Sequence, residues 1–159
     1  MYTVMDSPVG EVRIVEHRDA IIALEFAPYV ERTGRPLGER NDEHPVLAEA
    51  TAQLRAYFDR DLKEFDLPLA PVGSAFQQAV WEQLRQIPYG ETTSYGEIAR
   101  RLGRSNAASR AVGLANGSNP IAIVVPCHRV IGANGKLIGY AGGLERKQTL
   151  LELEQDALF

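Results

Sequence analysis

An α+β chain of two domains is the fold predicted. It has an N-terminal α/β unit with a small antiparallel sheet, residues 1–72, then a mostly helical unit with a helix-turn-helix, residues 73–159. Three observations carry this prediction. Strand-like runs separated by turn residues occupy only the first third. Helix-start signals crowd the second half. Between them "EFDLPLAPVG" (64–73) is extended and proline-punctuated, the pattern of a domain junction.

The strands are "YTVM", "EVRIVEH" and "AIIALEFA", the middle one alternating in polarity. "DSPVG" and "RD" turns between them predict an antiparallel meander. Residues 31–45 lack apolar periodicity and are expected to form an exposed, mobile loop. A helix follows Pro45, with Val46, Leu47, Ala50, Leu54, Tyr57 and Phe58 on one face. Ser74 and Gln77 spell a capping box ahead of Phe76, Val80, Leu84 and Ile87. Ser94 and Glu97 spell a second, opening "YGEIARRL", which stops at Gly103. After "GRSN", the helix "AASRAVGLAN" runs to Gly117. Two short helices joined by a tight glycine-containing turn describe a helix-turn-helix. On the second helix Ala107, Ala108, Ala111, Gly113 and Ala115 leave little bulk, and Arg110 alone is expected to project far. Such a helix can approach a backbone closely but reads few base edges; the same small residues also suit packing against a neighbouring helix.

Composition narrows the function. With 45% apolar and 24% charged residues the chain is expected to be a soluble globular protein. No apolar run approaches the ~20 residues a bilayer span needs, and the start lacks a secretory pattern. A single cysteine cannot form an internal disulfide, which fits a reducing, cytoplasmic compartment. Cys127 with His17, His44 and His128 is too scattered for a zinc spacing, so neither a metal nor another cofactor is expected. The net charge of −4 hides an asymmetry. Residues 1–70 carry 14 acids and 8 bases, residues 71–159 carry 7 acids and 9 bases. Within 91–136 stand Arg100, Arg101, Arg104, Arg110, Arg129 and Lys136 against Glu91 and Glu97, a modest footprint for phosphate contact or a solvated helix face.

The chemistry concentrates in "IVVPCHRVIG", residues 123–132. Most free cysteines are inert buried residues; an attacking one needs a base or positive charge to form a thiolate. His128 and Arg129 are adjacent, but neighbours in an extended strand face opposite ways, so the chain must turn at "PCH" for His128 to serve the sulfur. A third group should orient the imidazole, and spacing leaves Glu145, Glu152 and Glu154 open.

"NPIAIVVPCHRVIG", preceded by "SRAVGLANGS" and followed by "GYAGGLERKQTLLELE", resembles the O6-alkylguanine-DNA alkyltransferases, the methylated-DNA–protein-cysteine methyltransferases, strongly over about 74–154 and more loosely before it. The resemblance implies a single-turnover repair protein for double-stranded DNA containing O6-alkylguanine, with O4-methylthymine a further candidate substrate. It implies a cytoplasmic, nucleoid-associated monomer, with clustering on DNA left open. Cys127 would be nucleophile and alkyl acceptor, with His128, through a water, and Glu154 forming the chain that deprotonates it. Asn119 would be the hinge between helix-turn-helix and active-site strand. Tyr95 would crowd the target phosphate and assist proton transfer to the departing base. Arg110 would fill the stack when the nucleotide rotates out. Ser94, Ala107, Ala108, Ala111, Asn116, Ser118 and Arg129 would join Tyr95 and Arg110 against DNA. Pro126, Val130, Tyr140, Ala141 and Gly142 would line the base pocket. The N-terminal unit would be ribonuclease-H-like and structural.

The chain departs from the pattern in places. Many members have serine at Ala141, and several have an arginine before the hinge, where this chain has Ser118. The inter-helix turn is one residue longer than in some relatives, and the N-terminal zinc cysteines of others are missing. A lesion-recognition relative would lack the nucleophile that Cys127 supplies. A transcriptional regulator would want base-reading side chains, and a cysteine hydrolase would leave the helix-turn-helix unexplained.

Overall fold

The computed structural model describes residues 1–30, 37–132 and 140–156, which form two compact units, Met1–Val72 and Gly73–Phe159. In the first, β1 (Tyr2–Met5), β2 (Val12–His17) and β3 (Ala20–Phe26) make the antiparallel sheet β1-β2-β3, and α1 (Pro45–Phe58) packs on it. Arg18 and Asp19, both at positive φ, form the two-residue turn between β2 and β3. The clean alternation expected of β2 fails, because Arg13 and Glu16 are buried along with Val12, Ile14 and Val15. Each has a partner that offsets the loss of water: Arg13 pairs with Glu25 directly across the sheet at 2.8 Å, and Glu16 accepts from the Met1 amine at 2.9 Å. Leu47, Ala50, Leu54 and Tyr57 of α1 point inward at the expected spacing.

The loop expected over 31–45 needs correction. Residues 31–36 lie outside the described residues. Beyond them the chain is tied to β1: the Tyr2 amide donates to the Glu39 carbonyl (3.0 Å), the Asn41 amide to Tyr2 (2.9 Å), and the Thr3 hydroxyl to Asp42 (2.7 Å). Exposed residues 38–40 are therefore held by backbone pairing that apolar periodicity cannot reveal.

The second unit is built from α2 (Ala75–Arg85), α3 (Tyr95–Arg101), α4 (Ser109–Gly117) and α5 (Leu144–Asp156), with a two-stranded parallel pair, β4 (Thr93–Ser94) and β5 (Val130–Ile131). The Ser74–Gln77 box closes in both directions. Ser74→Ala should therefore cost about 0.5–2 kcal/mol, read as a lower urea midpoint at unchanged slope. At Ser94 only one arm forms: its hydroxyl accepts from the Glu97 amide, while the Glu97 carboxylate turns to Arg100 and Arg101. Helix α3 ends at Gly103 in a positive-φ conformation (+73°) that glycine adopts without penalty. Gly96 lets α3 approach the following turn closely, for a Cβ there would stand 2.4 Å from Asn106 Oδ1. The second helix begins later than composition suggests, with a 3-10 turn over Asn106–Ala108 before α4. Trp81 locks α2 to α4 by donating from Nε1 to the Ala115 carbonyl at 2.9 Å.

Candidate functional site

Helix α4 and the 3-10 turn before it separate their small residues by face. Ala115 and Val112 are buried, whereas Ala107 and Ala111 are exposed and Ala108 is half-buried. Arg110 is exposed as expected. It does not project alone, since Leu114, one turn on, is 72% exposed. Arg110, Gly113, Leu114 and Gly117 line one side of a basin of about 510 Å³, with Tyr95, Ser109, Tyr140 and Ala141 completing it.

Pairing of β4 with β5 (Thr93↔Val130, Ser94↔Ile131) brings Tyr95, the first residue of α3, beside the segment carrying Cys127. That segment turns as the chemistry requires. At Pro126 (φ −81°, ψ 64°) the backbone makes an inverse γ-turn, the Cys127 amide donating to the Val125 carbonyl at 2.8 Å. A 3-10 turn over Cys127–Arg129 follows, so consecutive side chains do not alternate as in a strand. Asn119 braces the approach: Nδ2 donates to the Val125 carbonyl (2.8 Å) and Oδ1 accepts from the Ile121 amide (3.1 Å). Between those two points Ile123 sits at φ +69°, a strained position for a β-branched residue that these bonds hold in place.

His128 is fully buried and its Nε2 lies 2.7 Å from Glu154 Oε2. The carboxylate fixes Nε2 as the protonated nitrogen, leaving Nδ1 an acceptor that is buried and makes no hydrogen bond among the described residues. Of the three candidate acids only Glu154 reaches the imidazole; Glu152 lies on the outer face with Gln148. Burial opposes ionisation of Glu154, but the bonds from His128 and Arg129 outweigh it and hold the carboxyl down at about 2. Burial likewise keeps His128 below the usual imidazole range, hence neutral, although Glu154 pulls it up. The Cys127 thiol is pushed up by burial; the polar side chains of Asn119 and Tyr140 and the positive charge of Lys147 act against that rise.

Three residues expected among the DNA contacts stand differently. Arg129 is buried at 6% exposure: Nε and an Nη bind both Glu154 oxygens (2.8 and 3.0 Å), and the other Nη donates to the Ile87 carbonyl (2.7 Å). A guanidinium whose donors face inward cannot meet a phosphate outside. Asn116 is 2% exposed, and its Oδ1 is buried with no hydrogen bond among the described residues. The Ser118 hydroxyl donates to the Ala115 carbonyl and accepts from Gln77, so it is engaged inside the unit. Gly142 contributes its carbonyl to Arg146 (3.0 Å). Pro126 and Val130 are buried beside the thiol, whereas Ala141 is exposed on the basin rim. Of the six bases, Arg100 and Arg101 share Glu97, Arg104 lies over the Phe76 ring, and Lys136 falls outside the described residues. The external basic surface is therefore smaller than the count implied.

Lys147 was missed. It is fully buried, and its ammonium donates to the Val130 carbonyl. Helical spacing could have found it, because Lys147, Leu150 and Glu154 stand at i, i+3 and i+7 and share the buried face of α5. In the first unit Glu16, Asp19 and His44 approach one another closely. His44 Nδ1 accepts from the Val46 amide, so Nε2 carries the ring proton and faces Asp19 and Glu16. These groups form a hydrogen-bonded cap at the start of α1.

A buried thiol with a neutral histidine and an ionised glutamate behind it, next to a basin walled by two short helices, defines a protein with a cysteine nucleophile that receives substrate across a helical surface. Residues 75–156 match the family described as 6-O-methylguanine DNA methyltransferase, DNA binding domain, and residues 1–71 its ribonuclease-like domain. The chain belongs to this family. It is 54% identical to the methylated-DNA–protein-cysteine methyltransferase of Mycolicibacterium paratuberculosis, over 97% of this chain and 92% of the relative. It is 50% identical to that of Methanosarcina acetivorans, over 96% and 97%. Among solved structures, Mycobacterium tuberculosis O6-methylguanine methyltransferase superposes with a TM-score of 0.88 at 48% identity, over 98% of this chain and 93% of that one. The M. tuberculosis OGT structure in complex with DNA gives 0.87 at 49%, with the same coverage.

Proposed function

We propose that this protein repairs DNA by direct reversal, moving the alkyl group of O6-alkylguanine to Cys127 once per molecule. The observation that carries the reading is the buried His128–Glu154 pair, 2.7 Å apart, with His128 directly after the one cysteine in the chain. The thiol proton passes to His128 Nδ1 through one water, within the reach general-base catalysis requires. The sulfur attacks the alkyl carbon, the S–C bond forms as the C–O6 bond breaks, and the electron pair returns to guanine. Guanine takes a proton from the Tyr95 hydroxyl, and the imidazolium returns one through solvent to the phenolate. Net, the thiol proton ends on guanine. Asn119 holds the thiol-bearing segment to the end of α4, and Arg129 keeps Glu154 ionised.

A base inside a duplex hides O6, so the nucleotide must rotate out, at a cost of a few kcal/mol. In this reading α3 and α4 act as a helix-turn-helix with α4 against the minor groove, and Arg110 occupies the gap. The partner is duplex DNA with alkylated guanine, bound by a monomer in the cytoplasm. Among the described residues no helix is long and apolar enough to cross a membrane. Arg110→Ala should slow transfer from a duplex about tenfold, as loss of ~1.4 kcal/mol of gap filling would. It should leave reaction with free O6-benzylguanine unchanged; equal losses on both would remove the finger role.

The reading is tested by intact mass. Incubation with a duplex bearing one O6-methylguanine should add one methyl group per molecule, mapped to the Cys127 peptide, with no further turnover. Repeated turnover, or tight binding without a mass change, overturns it.

A further inference from the structure

Leu114 takes no part in alkyl transfer, yet at 72% it is the most exposed large apolar side chain among the described residues of the second unit. Lone exposed leucines are ordinary on protein surfaces, so exposure by itself means little. Position is what distinguishes this one. Leu114 stands four residues after Arg110 on α4, and helical side chains lean toward the N-terminus, so it overlies the turn that carries the arginine. Both line the same basin, where α4 comes close to Tyr95: a Cβ at Gly113 would stand 3.7 Å from that ring. One turn beyond Leu114, a Cβ at Gly117 would meet nothing within 4 Å. The leucine is thus a ridge at the basin's edge, with Arg110 on one side and open space on the other. Charge indicates the kind of surface it meets. From Ile98 to Leu144 the sequence holds no aspartate or glutamate, so this stretch offers nothing to repel a polyanion.

We propose that Leu114 is an apolar wedge against duplex DNA, packing on the deoxyribose and base edge of the nucleotide that flanks the one rotated out. This rests on the reading of α3 and α4 as a DNA-facing helix-turn-helix with Arg110 in the gap. The two side chains divide the work by chemistry. Arg110 supplies charge and hydrogen-bond donors where the base has left. Leu114 supplies apolar surface that is removed from water only when DNA covers it, so its burial favours the opened duplex over the free protein. Apolar side chains wedged into the minor groove hold a base step partly unstacked in this way. A leucine makes no hydrogen bond to a base edge, so it leaves the flanking sequence unread. That suits a lesion that arises at any guanine.

The test compares the full chain with its Leu114→Ala and Leu114→Met variants in single-turnover methyl transfer. The substrates are O6-methylguanine in a paired duplex and in the same strand left unpaired. On the duplex Leu114→Ala should be about tenfold slower, since most of the apolar contact is withdrawn. On the single strand, where no stack has to be held open, the loss should be no more than about twofold. Leu114→Met, which conserves apolar volume, should stay within about twofold of the wild type on the duplex. Salt dependence separates the two helix residues. With Cys127→Ser added to prevent reaction, the slope of log affinity for the duplex against log salt should be unchanged in Leu114→Ala and smaller by about one in Arg110→Ala. An unchanged duplex rate in Leu114→Ala, equal losses on duplex and single strand, Leu114→Met as slow as Leu114→Ala, or a smaller salt slope in Leu114→Ala would each overturn the proposal. Wild-type protein that takes no methyl group from the duplex would instead defeat the reading of the site, and the inference with it.

Discussion

Cys127→Ser should retain binding to a duplex bearing O6-methylguanine and take up no methyl group. The hydroxyl occupies nearly the same volume, so Pro126, His128 and Val130, all buried around it, keep their packing. Chemistry is what changes. Alcohols ionise far less readily than thiols, and the same burial that pushes the thiol up opposes an alkoxide still more strongly. His128, held below the usual imidazole range, is too weak a base to remove that proton. Intact mass after incubation, with a gel-shift titration on the same duplex, checks both halves. Methyl transfer to the serine, or loss of binding together with transfer, contradicts the assignment.

Glu154→Gln should be the most destabilising change that leaves the site's shape intact. The carboxylate accepts three bonds, one from His128 and two from Arg129, and a glutamine oxygen replaces only part of that. A buried Arg129 without its counter-charge costs about 3–5 kcal/mol, measurable by urea unfolding. Single-turnover transfer should slow about a hundredfold, since the imidazolium formed during thiol deprotonation loses its ionic partner. The same pair sets the acid limit of stability. Glu154 titrates at about 2 against an ordinary 4.5, so its contribution is complete above pH 4.5 and is lost as pH falls from 4.5 toward 2. That difference amounts to ~3 kcal/mol in the wild type, and acid unfolding of Glu154→Gln should show a correspondingly flatter slope in this window. Transfer itself should decline at a higher pH, as His128 protonates below its ordinary 6.5 and can no longer accept the thiol proton.

What was legible in the sequence lies within a few residues along the chain. The Ser74 box, the Gly103 stop, the β2–β3 turn and the inward face of α1 each depend on contacts about four positions apart or fewer, and each formed. Predictions failed where distant chain decided exposure. Arg129 counted as a surface base until the Ile87 carbonyl and Glu154, 42 and 25 positions away, closed around it. Asn116 looked like one more polar residue on a binding helix, but α4 turns it into the interior. The pair β4–β5 has two residues per strand, too short for any periodicity, yet it is what sets Tyr95 next to the thiol segment.

The residues themselves determined that Cys127 is the one available thiol, that a turn at Pro126 is needed, and which family the chain resembles. They left the choice among Glu145, Glu152 and Glu154 open, because helical spacing constrains a face but not what that face meets. Only the tertiary structure decided that Glu154 meets His128, that Arg129 serves the carboxylate instead of a phosphate, and that Lys147 is buried against the Val130 carbonyl. The reason is physical: caps and turns are satisfied by neighbouring backbone groups, whereas a buried charge persists only where packing of remote segments brings it a partner.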